Sequence, residues 1–355
     1  MLRHARQVGQ PLDWTFYCVL GRQGHLDEEA KALGAQIIYS PVPIGRKRAF
    51  IGALRNTLRR GRYDVMHCHH DLVSGLYLLA SAGLPIGLRL AHAHNADEVV
   101  PVAGNIKQRL LREPLRRIGL VMADRVIGIS NHTLDTYLGG RSRRPGRDFV
   151  HYYGTDPTPF EKIGSDSARF RSALDLPADA VILLFGGRLV PEKNPVFAVD
   201  VLSELRRLQP RAVLLFAGAG SEEAAILARA DRLGVVPYIR MLGWRNDLAA
   251  VMAHSDCFIL PRPEHPMEGF GLAVLEAQLA GMRLLLSQGV PDDPLLPTAC
   301  YRRLPLASGP AAWAKAANEL LSESSPSRDA VFAAFAKSPF ALDTALPHLM
   351  ALHRP

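Results

Sequence analysis

Cys257-Phe-Ile-Leu260 is a short apolar run that leads through a turn-rich loop, Pro261-Arg-Pro-Glu-His-Pro266, into Glu268-Gly-Phe-Gly-Leu-Ala-Val-Leu-Glu276. Strand, glycine loop and apolar helix in that order form the repeating step of a parallel α/β sheet, and they expose backbone N–H groups to an anion at a helix N-terminus. Phosphate is the natural guest. Glu268 stands beside that N-terminus and Glu276 lies further along the helix, which separates their backbones by roughly 12 Å. A carboxylate pair acting on one bond wants about 5 to 9.5 Å. The wider spacing suits a ligand with hydroxyls at both ends and a diphosphate between them, the shape of a nucleotide sugar. The plainer alternative is an amphipathic helix with ordinary surface glutamates.

Outward from this stretch, similar runs recur at segment lengths that leave room for a helix between them. The second half holds Ala180–Phe185, Ala212–Ala217, Tyr238–Leu242, Cys257–Leu260 and Met282–Ser287; the first holds Thr15–Leu20, Gln36–Tyr39, Asp64–Cys68, Gly87–His92, Arg125–Ser130 and Phe149–Tyr153. Alternating strand and helix predict two doubly wound parallel-sheet units, with the functional site expected in the cleft between them. Gly154-Thr-Asp-Pro-Thr-Pro159 and the polar stretch after it place the boundary near residue 160, giving domains 1–160 and 161–336. Residues 337–355 have helical apolar spacing broken by Pro347 and are expected to pack back on the first domain.

Phe185-Gly-Gly-Arg-Leu-Val-Pro-Glu-Lys-Asn194 ends the first strand of the second half with Gly186 and Gly187, then offers Arg188 and Lys193 in a short loop. Glycines let a backbone approach a ligand closely, and two such cations can bracket a diphosphate. The loop is neither a Walker A sequence nor a dinucleotide-binding G-x-G-x-x-G. Gly218, in Phe216-Ala-Gly-Ala-Gly220, and Gly243, in Leu242-Gly-Trp-Arg-Asn-Asp247, lie at two further strand ends, where doubly wound sheets bind ligands. Trp244 or Arg245 could meet a base. In the first half, Arg89-Leu-Ala-His-Ala-His-Asn95 puts His92 and His94 on one side of a strand end. His67-Cys-His-His70 suggests a metal, but it has no carboxylate or cysteine at ligand-like spacing and its residues are read as alternating between strand faces, so no metal site is expected.

The chain has 355 residues, 48% of them hydrophobic, enough for a sizeable core and unlike a disordered protein. No run is long and apolar enough for a membrane span, and the start lacks an apolar leader, so a cytoplasmic protein is expected. Cys18, Cys68, Cys257 and Cys300 are widely spaced and read as reduced thiols. A net charge of +8 points to an anionic partner. Nucleic acid is disfavoured because no recognition helix, zinc pattern or aromatic RNA-binding stripe accompanies the charge.

The Gly-Gly-Arg-Leu-x-x-Glu-Lys-Asn loop, the Gly-x-Gly strand end, Leu-Gly-Trp-Arg-x-Asp and the Glu-x7-Glu segment together resemble the retaining nucleotide-sugar glycosyltransferases of the GT-B fold, family four. Val126-Ile-Gly-Ile-Ser130 and Gly154-Thr-Asp156 fit the same pattern, and the His-rich stretches look like its exopolysaccharide and capsule branch. The resemblance implies an α/β protein with two Rossmann-like domains facing across a cleft, the first on the acceptor side and the second binding the donor. It implies hexosyl transfer, with retention, from a nucleotide sugar, most simply a UDP-sugar, to a saccharide or lipid-linked acceptor in cell-surface polysaccharide synthesis. Arg188 and Lys193 would hold the diphosphate without a metal or other cofactor, Glu276 the ribose, and Glu268 the transferred sugar. Gly187, Gly218, Gly243, Gly269, Phe270 and Gly271 would line the donor, and His94, with His92 second, would face the sugar.

Two features depart from that family. Relatives open with a central strand and a glycine-rich loop, whereas Met1-Leu-Arg-His-Ala-Arg6 reads as the end of the following helix, so a missing first strand is expected. Arg262, where many relatives have serine, adds a cation near the donor. The alternatives kept are a non-catalytic or impaired nucleotide-sugar-binding relative and a GT-B epimerase. Arg46-Lys-Arg48, Arg55, Arg59, Arg60, Arg62, Lys107, Arg109, Arg112, Arg116 and Arg117 give the first domain a basic helical face, which suggests peripheral contact with anionic membrane.

Overall fold

A computed structural model describes Ala5 and residues 13–95, 106–163 and 167–354. The chain divides into two compact units: Met1–Gly154 with Leu342–Pro355, and Thr155–Ala341. The start of the chain, apart from Ala5, lies outside the described residues. The division comes before residue 160 because the backbone N–H of Thr155 donates to the Phe340 carbonyl at 2.9 Å and Thr155 bridges to Ala341. Those contacts assign residues 155–160 and 337–341 to the second unit.

In the first unit, strands β1 (Thr15–Cys18) and β2 (Gln36–Tyr39) form one parallel pair. Strands β3 (Val65–Cys68), β4 (Leu88–Ala93), β5 (Arg125–Gly128) and β6 (Asp148–Val150) form a separate parallel sheet in chain order. Helix Lys47–Gly61 turns Phe50, Leu54 and Leu58 inward, the spacing that keeps one helical face apolar. Helix Leu342–Leu352 belongs to this unit. Its Leu346, Leu349 and Met350 cluster with Ala5 and Trp14, and its Leu352 with Leu88, Leu90 and Ile127. It continues through Pro347 rather than breaking there. The proline, sixth in the helix, lies on its exposed side with His348 and forgoes one backbone bond while Leu346, Leu349 and Met350 stay buried.

The second unit holds six parallel strands: β7 (Val181–Gly186), β8 (Ala212–Ala217), β9 (Ile239–Gly243), β10 (Cys257–Leu260), β11 (Arg283–Ser287) and β12 (Tyr301–Leu304). Their order, β12-β11-β10-β7-β8-β9, reverses between β7 and β10. β8 and β10 are buried throughout, as expected for strands covered on both faces. The sequence reading missed β12. Its Tyr-Arg-Arg-Leu is polar because it lies at a sheet edge, where one side meets solvent. Behind the sheet, Trp313 is fully buried, donates its indole N–H to the Pro305 carbonyl at 3.1 Å and meets Phe197 edge-on.

Helix Leu272–Leu279 follows β10 and buries Val274, Leu275, Ala277, Gln278 and Leu279. Gln278 is the polar exception, and its amide is fully used: Nε2 donates to the carbonyls of Val274 and Pro294, and Oε1 accepts from the Leu296 N–H at 2.7 Å. It ties the helix to the loop after β11. Gln278→Ala strands these buried groups and is expected to cost about 2–4 kcal/mol; an unshifted urea midpoint would show that the helix is held otherwise.

Candidate functional site

The reversal between β7 and β10 splays the loops that leave their carboxyl ends, which is where open parallel sheets bind ligands. The β7 loop is folded tightly against β8. Gly187 N–H donates to the Ala217 carbonyl at 2.9 Å, and Leu189 N–H to the Ala219 carbonyl at 3.0 Å. Gly218 adopts φ 152°, and a Cβ there would come within 1.9 Å of the Gly187 carbonyl oxygen. The Gly218 N–H also bonds the Gly243 carbonyl at 2.8 Å. Gly187, Gly218 and Gly243 thus hold three strand ends in close approach. Asn194 takes a left-handed turn into helix Pro195–Leu208, which leaves Lys193 at the loop's end.

Lys193 is largely buried. Its Nζ lies 3.8 Å from Glu268 Oε2, and the same oxygen accepts from Arg262 at 2.9 Å. Arg262 is 9% exposed and is further fixed by its Nε bond to the Pro266 carbonyl at 3.0 Å. The extra cation seen in the sequence therefore faces inward and locks Glu268. Burial pulls the Lys193 ammonium below its ordinary pKa; Glu268 opposes the shift, while Arg262 and Arg188 add to it. Arg188 itself is exposed. Burial pushes the Glu276 carboxyl up to about 7, with nearby Lys193 pulling it down. The structure brings Arg188, Lys193, Arg262, Glu268 and Glu276 into one electrostatic cluster.

Gly271, at φ 88°, opens helix Leu272–Leu279 with no side-chain cap, so that helix end remains available. Phe270 requires a correction. The whole residue is 1% exposed and its ring packs 5.4 Å from that of Phe340, so Phe270 backs the loop from the core while Gly269, half-buried, is the more accessible of the two. Trp244 is 81% exposed and Arg245 is paired with Asp247 at 2.7 Å.

In the first unit, His94 has both ring nitrogens engaged, Nδ1 with the Tyr153 hydroxyl at 2.6 Å and Nε2 with His69 Nδ1 at 2.9 Å. Its backbone N–H donates to Asp71 Oδ1 at 2.7 Å, and Asp71 Oδ2 accepts from the Asn95 amide. Asp71, buried and at φ 42°, is an anchor that the sequence reading missed. His92 is 4% exposed, with Nδ1 3.1 Å from His67 Nε2. Burial holds His67, His92, His151 and His353 below the usual histidine pKa, so these rings are neutral at pH 7.

Residues 166–332 match the family described as Glycosyl transferases group 1, and residues 12–158 match Glycosyltransferase Family 4. The chain belongs to the group 1 and family 4 glycosyltransferases. It is an enzyme of the glycosyl-transferring class. It is 26% identical over 310 residues to the glycosyltransferase EpsF of Bacillus subtilis (strain 168), covering 85% of this chain and 78% of that one. It is 23% identical over 269 residues, 74% of this chain and 67% of the relative, to UDP-Gal:alpha-D-GlcNAc-diphosphoundecaprenol alpha-1,3-galactosyltransferase of Escherichia coli. The fold is that of Anabaena Alr3699/HepE, solved in complex with UDP: TM-score 0.76 at 16% identity, across 96% of this chain and 99% of that one. This is the GT-B architecture.

The raised Glu276 pKa has a defined sign. From the ordinary 4.5 up to about 7, the unfolded glycosyltransferase releases a proton that the folded one keeps. The contribution to stability is full at low pH and is lost as pH rises through 7. Glu276→Gln removes that loss, which is worth up to roughly 3 kcal/mol. The variant's melting temperature is expected to gain on the parent's between pH 5 and pH 8; parallel curves would mean that Glu276 titrates as an ordinary carboxylate.

Proposed function

We propose that this glycosyltransferase moves a hexosyl group from a UDP-sugar to a saccharide or lipid-linked acceptor, with retention, in the synthesis of a cell-surface polysaccharide. The observation that carries this reading is the partly buried cluster around Lys193 at the β7–β10 reversal. Three cations, Arg188, Lys193 and Arg262, stand against one ionised carboxylate, Glu268, with Glu276 close to half-protonated at neutral pH. The surplus of about one and a half positive charges opposes the two negative charges of a nucleotide sugar's diphosphate.

Arg188 and Lys193 offset the charge that grows on the leaving nucleoside diphosphate as the bond to the anomeric carbon breaks. The chain's own cations and the uncapped end of helix Leu272–Leu279 do this, so no step is assigned to a metal. Both contacts of Glu268 fall on Oε2, which leaves Oε1 to accept from a hydroxyl of the transferred sugar. Glu276, further along the helix, takes the ribose hydroxyls. Uracil is favoured because the Escherichia coli relative is named for UDP-Gal and the Anabaena protein was solved with UDP. The lipid-linked acceptor follows the same relative's name, and the polysaccharide setting follows the likeness to EpsF.

Calorimetry with UDP, GDP and their sugar conjugates tests the donor assignment. UDP is expected to bind in the micromolar range, with at least a tenfold loss in Lys193→Ala and in Glu276→Ala. Equal binding by both variants would move the donor elsewhere. Release of UDP only in the presence of acceptor marks a transferase, change of the sugar without acceptor marks an epimerase, and tight binding without turnover marks a binding relative.

No helix among the described residues is long and apolar enough to cross a membrane, and a lipid-linked acceptor calls for surface docking. Lys47, Arg48, Arg59 and Arg60 of helix Lys47–Gly61 are exposed and can supply it. Arg55 is not free for this, because it donates to the carbonyls of Ala80 and Ala82. Arg116 is held by Glu113, and Lys107 and Arg109 lie outside the described side chains. Binding to anionic vesicles is expected to weaken with salt and with K47E/R59E/R60E; equal binding to neutral vesicles would count against docking.

A further inference from the structure

β3 and β4 are parallel neighbours, with His67 opposite Leu90 and Cys68 opposite Ala91. His67 lies on β3 with His69 one residue past its end, and His92 lies on β4 with His94 one residue past its end; side chains two apart along extended chain share a face. The sequence reading had His67 to His70 alternating between faces and looked for ligands only nearby along the chain. The pairing of the two strands instead brings two His-x-His segments together, with the His92 ring centroid 5.2 Å from that of His67 and 5.1 Å from that of His69.

We propose that His67, His69 and His92 of the first unit form a binding site for a divalent zinc-class transition-metal ion; none of the three belongs to the charged cluster around Lys193. One ring nitrogen from each lies within 4.8 Å of the others. Two ligands of one tetrahedral ion with bonds of about 2.0–2.1 Å sit about 3.4 Å apart, and His67 Nε2 and His92 Nδ1 are already 3.1 Å apart. His67 and His92 stand on the paired strands and His69 one residue past the end of β3, so small side-chain rotations complete the set. Three imidazoles with no thiolate favour zinc, copper, nickel or cobalt over calcium or magnesium.

The outer contacts have the form such ligands require. His67 directs Nδ1 to His353 Nε2 at 2.8 Å, and His69 directs Nδ1 to His94 Nε2 at 2.9 Å. A second partner on one ring nitrogen fixes the tautomer and presents the other nitrogen to an ion. The rings do not satisfy one another fully, since His92 Nε2 is buried and has no hydrogen-bond partner. With three protein ligands, the ion keeps a position open to water or a ligand oxygen.

The test is titration of the untagged full-length chain with Zn2+ and, separately, Co2+. One equivalent of Zn2+ is expected to bind with a dissociation constant in the micromolar range or below. Co2+ is expected to give the intense visible bands of a four- or five-coordinate nitrogen site. His69→Ala, at an exposed position, is expected to weaken Zn2+ binding at least tenfold with an unchanged circular dichroism spectrum, and His67→Gln to do the same. Binding of less than one equivalent, weak octahedral Co2+ spectra, or equal affinity in both folded variants would overturn the site.

Discussion

A lysine withdrawn from water needs a counter-charge, and the second unit is arranged around that need. Lys193 has Glu268, and Glu268 is held from its other side by Arg262, whose own position is fixed by the Pro266 carbonyl. Removing one member of such a set leaves an uncompensated buried charge, which costs far more than the set contributes. The loops after β7 and β10 are therefore pinned to each other through charge. The glycine contacts at Gly187 and Gly218 permit the approach that makes this possible.

The strands of both units were legible because parallel strands covered on both faces must be continuously apolar. Cys257–Leu260 and Ala212–Ala217 are written that way. β12 was not legible, because an edge strand tolerates Arg302 and Arg303 and so lacks the signal. The candidate donor residues could be named from their loops, since chemistry that needs Arg, Lys and Glu at strand ends is local in sequence. The inward turn of Arg262 was not, because it depends on the distance between two side chains in the folded loop. Phe270 shows the converse: a residue in the right motif whose ring is taken up by the core.

The histidines of the first unit show a limit of reading along the chain. His67 and His92 are far apart in sequence, and only the register of β3 on β4 makes them neighbours. Asp71 was hidden for the same reason, as its role is to hold the backbone at His94 and Asn95. Spacing rules find partners within one element, whereas sheet pairing makes partners between elements.

The first unit is discontinuous in sequence, and this bears on how the chain emerges from the ribosome. Leu346, Leu349, Met350 and Leu352 complete two of its apolar clusters, and Arg125 closes the seam on the carbonyls of Leu352 and Arg354. The helix residues among these are translated after the last residue of the second unit, Ala341. The order of completion thus reverses the order of synthesis: the later-made unit can close first, while the earlier one waits with an apolar seam exposed. That interval is when the nascent chain has most need of a chaperone.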